Sequence, residues 1–334
     1  MSYCRRWMSA SLNLNKDVII LEQNFILFVV NKFQMEEQKI AAIDIGSNAV
    51  RLLISVVNED DGGISFKKLM LLRVPLRLGE DTFSVGKITD KKIRKLIKLM
   101  KAFKHLMMVY EVESYRACAT AAMREARNAA KVVAVVKEKA ELDIEIIDGT
   151  EEARTIYESH VEDRLDRNGN YLYVDVGGGS TELSVISRGK LVESASFNIG
   201  TIRMLRNKVT GDELERMNDF LQSVKCQYSI TEIIGSGGNI NKLHKLAKLR
   251  KGDVLDIDKL QNIYQDMKQL SVEERMTRFE LNPDRADVII PASEIFLHIA
   301  DQTNIRQIYV PTFGLVDGLL HTIYNTTQVE KIPL

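Results

Sequence analysis

The sequence predicts an α/β protein made of two similar domains. A buried strand, an aspartate, a glycine-containing turn and a second apolar strand follow one another near residue 44 and again near residue 175. Strand-like and helical segments alternate through both halves of the chain, which is typical of the α/β class. The length of 334 residues also exceeds the size at which one hydrophobic core usually suffices.

The first half alternates strands and helices. The predicted elements, in chain order, are strands at 40–45, 50–57 and 64–72, a helix at 90–109, a strand at 113–119, a helix at 128–141 and a strand at 144–147. The segment 90–109 is predicted to be a helix because its apolar residues recur three or four positions apart. The first two strands are predicted from their continuous apolar runs, which the turn at 46–48 separates.

The second half repeats the pattern of the first. A polar segment at 164–170 separates the halves, and the strands expected at 171–176 and 183–187 flank a run of three glycines. Shifting the sequence by 131 positions places Asp44 on Asp175. An internal repeat carries more weight than either copy alone, so we expect duplicated domains that each present a turn to a shared cleft.

Residues 1–34 are expected to lie outside this fold. Their two apolar runs are too short to span a bilayer, and acidic and amide residues separate them, unlike the apolar region of a signal peptide. Met35 lies just before the first predicted strand and resembles a natural start. We therefore predict a non-native or disordered extension at 1–34, a first domain at 35–166 and a second domain at 167–334.

The charge balance and the cysteine content argue against several classes of protein. Forty-six basic and forty-six acidic side chains give a formal net charge of zero, whereas a dedicated nucleic-acid-binding domain is usually strongly basic. The three cysteines and five histidines show no metal-ligand spacing, and so few cysteines provide no disulfide framework. We therefore expect a cytoplasmic protein that binds neither nucleic acid nor a membrane.

Each repeated turn has the composition of an anion-binding site. Glycine allows backbone N–H groups to approach an anion closely, and the neighbouring hydroxyl and amide side chains add donors. The aspartate before each turn can hold a hydrated divalent cation that bridges phosphate oxygens. A third glycine cluster, at 235–239, follows a strand and opens a helix, whose N-terminus also favours anions. For either turn taken alone, a plain hairpin is the alternative.

Four motifs in this order resemble the exopolyphosphatase/guanosine pentaphosphate phosphohydrolase family. The motifs are IDIGSNAVRLL at 43–53, VDVGGGSTEL at 174–183, IGSGGN at 234–239 and VPTFGLVDG at 310–318. That family belongs to the superfamily of actin, sugar kinases and Hsp70 ATPases. The resemblance implies two duplicated actin-like (ribonuclease H-like) domains with the site in the cleft between them.

The resemblance also implies roles for individual residues. Glu152 would position or deprotonate the attacking water, Glu182 would assist the water or the metal, and Arg51 would stabilise charge in the transition state. Asp44 and Asp175 would hold Mg²⁺ or another divalent cation. The residues expected to bind phosphate are Ser47, Asn48, Gly178, Gly179, Ser180, Thr181, Gly237 and Arg285.

Each of these assignments has a structural alternative. Glu152 is otherwise a solvated glutamate in the first turn of a helix, and Glu182 is otherwise an exposed strand residue. Asp44 and Asp175 are otherwise hairpin-stabilising side chains. For Arg285 the alternative is an ordinary ion pair at a helix start. For Arg51, whose charge is costly within an apolar strand unless it is paired or faces a cleft, the alternative is a structural ion pair.

Two segments are rich in lysine and arginine, at 87–105 and at 242–251. Such runs are usually the solvated faces of helices. The alternative is an electrostatic track for a long polyanion such as polyphosphate.

These observations together predict an exopolyphosphatase-like enzyme that releases terminal orthophosphate from inorganic polyphosphate. Guanosine pentaphosphate is the alternative substrate, because it shares the terminal phosphoanhydride. A non-catalytic nucleotide or alarmone sensor and an ATP-using kinase or chaperone-like ATPase are the rival classes. The resemblance further implies a homodimer, since members of the family often form dimers.

Overall fold

The computed structural model describes residues 37–60, 63–157, 166, 168–311 and 314–330. The predicted extension at 1–34 therefore lies outside the described residues. The chain divides into two compact units, and the smaller one contains, among the described residues, 37–38, 57–60 and 63–65. The larger unit contains 39–56 and everything described from Phe66 onward. None of the described helices combines the length and the apolar character needed to span a bilayer.

The first half forms a five-stranded mixed sheet. Its strands are β1 (Lys39–Ile45), β2 (Val50–Asp60), β3 (Gly63–Val74), β4 (Ser114–Ala119) and β5 (Glu145–Ile146). The strand order is β3-β2-β1-β4-β5, with β1 antiparallel to β2 and parallel to β4. The predicted strands are therefore confirmed, and their bounds differ from the predictions by only a few residues.

The second half forms a six-stranded mixed sheet. Its strands are β6 (Asn170–Val176), β7 (Thr181–Ser187), β8 (Lys190–Phe197), β9 (Glu232–Ser236), β10 (Val254–Asp256) and β11 (Gln307–Tyr309). The order β8-β7-β6-β9-β11 reproduces that of the first sheet, and β10 is an additional edge strand. The α/β class with two related halves is thus confirmed.

The strand register shows how closely the halves correspond. In the first sheet Asp44 of β1 lies opposite Arg51 of β2. In the second sheet Asp175 of β6 lies opposite Glu182 of β7. Both pairs are related by the same 131-position shift that the sequence showed, so the repeat extends to individual cross-strand pairs.

The helices surround these sheets. In chain order they are α1 (Leu78–Val85), α2 (Asp90–Val109), α3 (Ala121–Arg124), α4 (Ala129–Ala140), α5 (Gly149–Tyr157), α6 (Thr201–Leu205), α7 (Gly211–Tyr228), α8 (Gly238–Leu246), α9 (Ile257–Lys268), α10 (Val272–Phe279), α11 (Pro283–Ala286), α12 (Ile289–Thr303) and α13 (Leu315–Glu330). Helix α2 begins and ends where the apolar periodicity predicted. The side chain of Thr89 caps it by accepting a hydrogen bond from the Lys92 backbone N–H.

Each sheet has its own hydrophobic core. The first core packs β1 and β2 against the apolar stripe of α2, which includes Leu96 and Phe103. The second core contains Leu172 of β6 together with Phe296 of α12. Ile202 of α6, from the second half, is buried in the first core. The halves are therefore packed on each other within the larger unit, and the domain boundary between 166 and 167 stays a prediction.

Candidate active site

A cleft of about 560 Å³ opens between the β1–β2 turn and the β6–β7 turn. It gathers all but one of the residues that the sequence proposed. Those that line it are Asp44, Ser47, Asn48, Arg51, Glu152, Asp175, Gly178, Gly179, Ser180, Glu182, Gly237 and Arg285. Both turns therefore line one cleft, as the sequence predicted.

Thr181 is the candidate that the structure places apart from the others. Its side chain is fully buried, and its hydroxyl donates a hydrogen bond to the Ile199 carbonyl at 2.5 Å. Side chains alternate between the two faces of a strand, so Ser180 and Glu182 face the cleft while Thr181 points the other way. Its hydroxyl is thereby engaged in fixing the turn to the end of β8.

The β6–β7 turn is held in an orientation that suits an anion. The carbonyl oxygens of 177–179 accept hydrogen bonds from 201–203, at the start of α6, over 2.7 to 3.2 Å. The backbone N–H groups of Gly178 and Gly179 have no acceptor among the described residues. Because the carbonyls are satisfied on one side of the turn, its unpaired N–H groups are left available on the other, which is the arrangement of an anion-binding nest.

The β1–β2 turn is built in the same way. The Ser47 carbonyl accepts a hydrogen bond from the Gly79 N–H, and the Asn48 carbonyl accepts one from the Arg77 N–H, both at 2.9 Å. Within the part of the chain that is described, the N–H groups of Ser47 and Asn48 have no acceptor. In each half a short helix follows the third strand, α1 in the first half and α6 in the second. Backbone N–H groups at the start of that helix fix the turn by donating hydrogen bonds to the carbonyl groups of the turn.

Glu152 lies in the first turn of α5 and faces the cleft. It is only 8% exposed, yet its Oε2 atom has no hydrogen-bond partner. Arg124 is nearby, with its Nη1 atom 3.7 Å from that oxygen. Burial, followed by the carboxylates of Glu182 and Asp175, raises the pKa of Glu152 well above its ordinary value. A carboxylate of raised basicity with an oxygen that accepts no hydrogen bond is suited to accept a proton from water.

The preceding residue, Glu151, lies on the solvent-exposed side of α5 and does not line the cleft. Its carboxylate accepts a hydrogen bond from Arg116 Nη2 at 2.7 Å, and its side chain is 44% exposed. Its backbone N–H donates to the Asp148 side chain at 2.8 Å. Of the two adjacent glutamates, only Glu152 is therefore available to the chemistry of the cleft.

Two further carboxylates lie opposite each other on β6 and β7. Glu182 is 2% exposed and accepts a hydrogen bond from the Ser196 hydroxyl at 3.0 Å. Burial raises the pKa of Asp175 to about 7, with Glu182 adding to the effect and Arg51 opposing it. The cluster therefore carries more negative charge than its surroundings neutralise.

This carboxylate cluster fits a hydrated divalent cation. Among the described residues, no group of three or more acidic, histidine or cysteine side chains is arranged to hold a metal ion by itself. Mg²⁺ usually keeps several waters and takes one or two protein carboxylates together with substrate phosphates. Asp44 and Asp175 satisfy that requirement, and the repulsion that raises the pKa of Glu152 is what a cation would relieve.

Arg51 is both paired and directed to the cleft. Its Nη1 atom lies 2.5 Å from Asp44 Oδ2, and about a third of the side chain is exposed. Within an apolar strand an unpaired charge is costly, and the Asp44 carboxylate balances the charge of Arg51 while leaving its guanidinium within reach of a ligand.

Three guanidinium groups gather on the same side of the cleft. Arg285 donates to the Gly238 carbonyl at 2.5 Å, and Arg73, which also lines the cleft, pairs with Asp284 at 2.6 Å. Burial, then the charges of Arg73 and Arg51, lowers the pKa of Arg285. Such mutual repulsion favours the binding of an anion between them. Sequence reasoning missed Arg73, whose only signal is a basic residue at the end of a strand.

Sequence reasoning also missed two residues that hold the β6–β7 turn in place. Arg203 is buried, donates from Nε to the Gly179 carbonyl and lies over the Phe83 ring at 4.2 Å. A Cβ atom on Gly200 would lie 2.4 Å from the backbone of Gly179. The signal available in the sequence was a glycine shortly after the third strand of each half, Gly79 in the first half and Gly200 in the second.

The third glycine cluster joins β9 to α8, as the sequence predicted. Gly237 has a φ of +105°, and a Cβ atom there would lie 3.0 Å from Asp175 Oδ1. Both facts require glycine at this position. The start of α8 therefore lies directly beside the carboxylate cluster.

Turns that present unpaired N–H groups, buried carboxylates and converging arginines together define a phosphate-ester or phosphoanhydride hydrolase site. The Ppx/GppA phosphatase family matches residues 55–327, and the chain therefore belongs to this family. The resemblance inferred from the four motifs is confirmed.

Individual relatives agree with this assignment. The chain is 24% identical over 312 residues to Exopolyphosphatase 2 of Mycobacterium tuberculosis, covering 84% of this chain and 97% of that protein. It is 25% identical over 309 residues to the guanosine-5'-triphosphate,3'-diphosphate pyrophosphatase of Vibrio cholerae, covering 87% of this chain and 60% of that protein. It is 25% identical over 315 residues to the bifunctional 3-dehydroquinate synthase/phosphatase of Fusobacterium nucleatum, covering 84% of this chain but only 46% of that protein.

A solved structure also matches the fold. The PPX-GPPA enzyme of Aquifex aeolicus superposes with a TM-score of 0.68 at 29% sequence identity, covering 85% of this chain and 99% of that chain. The expected actin-like architecture is therefore confirmed.

Proposed function

We propose that this protein is a phosphohydrolase that releases terminal orthophosphate from inorganic polyphosphate. The observation that carries the proposal is that two N–H nests line the same cleft as a buried glutamate whose Oε2 atom accepts no hydrogen bond. Membership of the Ppx/GppA phosphatase family and the similarity to an exopolyphosphatase support it.

In the proposed reaction Glu152 accepts a proton from a water molecule as that water attacks the terminal phosphorus. The bridging P–O bond breaks, and the electron pair leaves with the shortened chain. The N–H groups of the two turns and the Arg51 guanidinium stabilise the charge that develops on the phosphate oxygens. Glu182, fixed by Ser196, orients the water from the β7 side.

Asp44 and Asp175 would hold the divalent cation, which we propose to be Mg²⁺. When bound, the ion neutralises phosphate charge and so favours attack by a nucleophile. The role of the chain is to supply carboxylates that lie beside the turns which bind the phosphate.

Replacing Asp175 with asparagine is expected to weaken divalent-cation binding about tenfold or more, because the charge of a carboxylate ligand is lost. Mn²⁺ titration followed by electron paramagnetic resonance measures this without requiring turnover. Asp317→Asn is the matched control, since Asp317 also lines the cleft but has both carboxylate oxygens engaged, one by Lys68 at 2.6 Å and the other by the Gly314 N–H at 2.9 Å. Equal Mn²⁺ affinity for the wild type and Asp175→Asn would remove Asp175 from the metal site.

Orthophosphate release tests the proposed function. Long polyphosphate, tripolyphosphate, guanosine pentaphosphate and ATP are assayed in parallel with Mg²⁺. We expect release from the polyphosphates and little from ATP. A folded protein that releases orthophosphate from none of the four would contradict the enzyme assignment and favour a sensor.

Guanosine pentaphosphate remains the second candidate substrate. The similarity to the Vibrio cholerae pyrophosphatase favours it. So does Leu71, a 56% exposed side chain in the wall of the cleft, which offers apolar surface to a nucleoside. Faster release from guanosine pentaphosphate than from tripolyphosphate would select this alternative.

We place this activity in the cytoplasm and expect a homodimer. The described cysteines, Cys118 and Cys226, are both free thiols, which suits a reducing compartment. Light scattering of the purified protein tests the expected dimer.

A further inference from the structure

The basic segment at 242–251 divides into two parts in the structure. Lys242 and Lys245 lie three positions apart on α8, so they share a face of the helix, and both line the cleft. Lys251, from the same segment, lies beyond the end of α8 and does not line it. Only part of this segment can therefore act on a ligand in the cleft.

The position of these lysines along α8 is what matters. The helix begins at Gly238, where an added Cβ atom would lie 3.3 Å from Arg285 Nη2 and 3.5 Å from Arg51 Nη2. Because an α-helix rises about 1.5 Å per residue, Lys245 is about 10 Å further along the axis than Gly238. Positive charge thus continues from the phosphate turns along one wall of the cleft, away from the carboxylates.

The two ammonium groups are available to a ligand. Within the described chain, no carboxylate forms an ion pair with either lysine. Lys242 donates to the Glu280 backbone carbonyl at 3.3 Å, which leaves two of its three donors. The Glu280 side chain is the acidic group in this part of the cleft wall. The summed charge of residues 238–245, Arg285 and Glu280 is therefore positive.

We propose that Lys242 and Lys245 bind internal phosphates of a linear polyphosphate, behind the terminal phosphate that is cleaved. This inference rests on the proposed function and adds to it the residues that determine chain-length preference. A chain of several phosphates can extend along the whole of this row, about 10 Å, whereas tripolyphosphate has only two phosphates behind the one that is cleaved and does not extend to Lys245 at the far end. Longer chains are therefore bound more tightly, with no change in the chemical step.

The double variant Lys242→Gln/Lys245→Gln tests the proposal. Its KM for long polyphosphate is expected to rise roughly tenfold, because each exposed ion pair contributes a factor of a few. Its kcat for both substrates is expected to stay within about twofold, because the catalytic groups are untouched. Its KM for tripolyphosphate is expected to rise much less than its KM for long polyphosphate, because tripolyphosphate does not extend to Lys245. The dependence of KM on salt should also become less steep. Lys245→Gln alone, which leaves the Glu280 hydrogen bond in place, should show part of the effect.

Two single variants serve as controls, each removing one positive charge as Lys245→Gln does. Lys251→Gln removes a lysine of the same segment outside the cleft, and Lys98→Gln removes an exposed lysine of α2. Both are expected to leave the KM for long polyphosphate unchanged. If Lys98→Gln raises this KM more than the double variant does, the chain runs over α2 and the proposal is wrong.

Other outcomes separate this proposal from the proposed function. An equal rise in KM for short and long substrates, or no rise at all, overturns the role of the two lysines while leaving the phosphohydrolase assignment intact. If the wild type hydrolyses no substrate, calorimetric titration with long polyphosphate still compares binding by the wild type and the double variant. Equal dissociation constants would then overturn the inference as well.

Discussion

The Glu152→Gln variant is expected to release orthophosphate with a kcat about 10²- to 10⁴-fold below that of the wild type, the usual contribution of a general base. Glutamine keeps the size and shape of the side chain but cannot accept a proton from the attacking water. Glu152 is also the cleft carboxylate whose buried Oε2 atom has no hydrogen-bond partner. Release from tripolyphosphate with Mg²⁺, measured under single-turnover conditions, isolates this step.

Glu151→Gln is the matched control for that variant. It makes the same chemical change one residue earlier, on a side chain that is partly exposed and bonded to Arg116. We expect its kcat to stay within about twofold of the wild type, as for a surface substitution. Full activity of Glu152→Gln, or an equal loss in both variants, would mean that another group activates the water.

The Gly200→Ala variant is expected to lose about 3 kcal/mol or more of unfolding free energy, at the upper end of the cost of overpacking. Its Cβ atom would lie 2.4 to 2.6 Å from backbone atoms of Gly178, Gly179 and Ser180. Backbone cannot rotate aside as a flexible side chain can, so α6 and the turn must separate. Since α6 satisfies the turn carbonyls, we expect activity to fall too. Urea denaturation and orthophosphate release measure the two effects.

Gly211→Ala shows what the same substitution does without a close contact. A Cβ atom on Gly211, at the start of α7, meets no atom within 4 Å. The change in unfolding free energy is expected to be within about 0.5 kcal/mol. A Gly200→Ala variant as stable as the Gly211→Ala variant would show that α6 is not packed against the turn as described.

Much of the fold followed from local pattern. The apolar periodicity of 90–109 predicted α2 with its correct ends, because an amphipathic helix records its buried face in its own sequence. The 131-position repeat that places Asp44 on Asp175 also places Arg51 on Glu182, and the strand register agrees. Strand alternation could also have predicted that the Ser180 side chain faces the cleft and that the Thr181 side chain lies on the opposite face of the sheet.

Other features could not be predicted from the local sequence pattern. Helices α1 and α6 are too short to show a period, although they fix both turns through hydrogen bonds. Arg73 joins Arg285 at the cleft because separate segments converge there, and sequence spacing does not record such convergence. The two basic segments looked alike, yet lysines of only the second line the cleft.

By itself, the sequence determined the α/β class, the duplicated strand–turn–strand units and the chemical types of the site residues. It could do so because strands, turns and helices follow from neighbours in the chain. Only the tertiary structure decided which groups meet: Thr181 bonded to Ile199, Arg73 with Arg285 at the cleft, and Lys242 with Lys245 along its wall. Burial, charge repulsion and free hydrogen-bonding groups depend on distances between residues remote in sequence, and those distances exist only after the chain has folded.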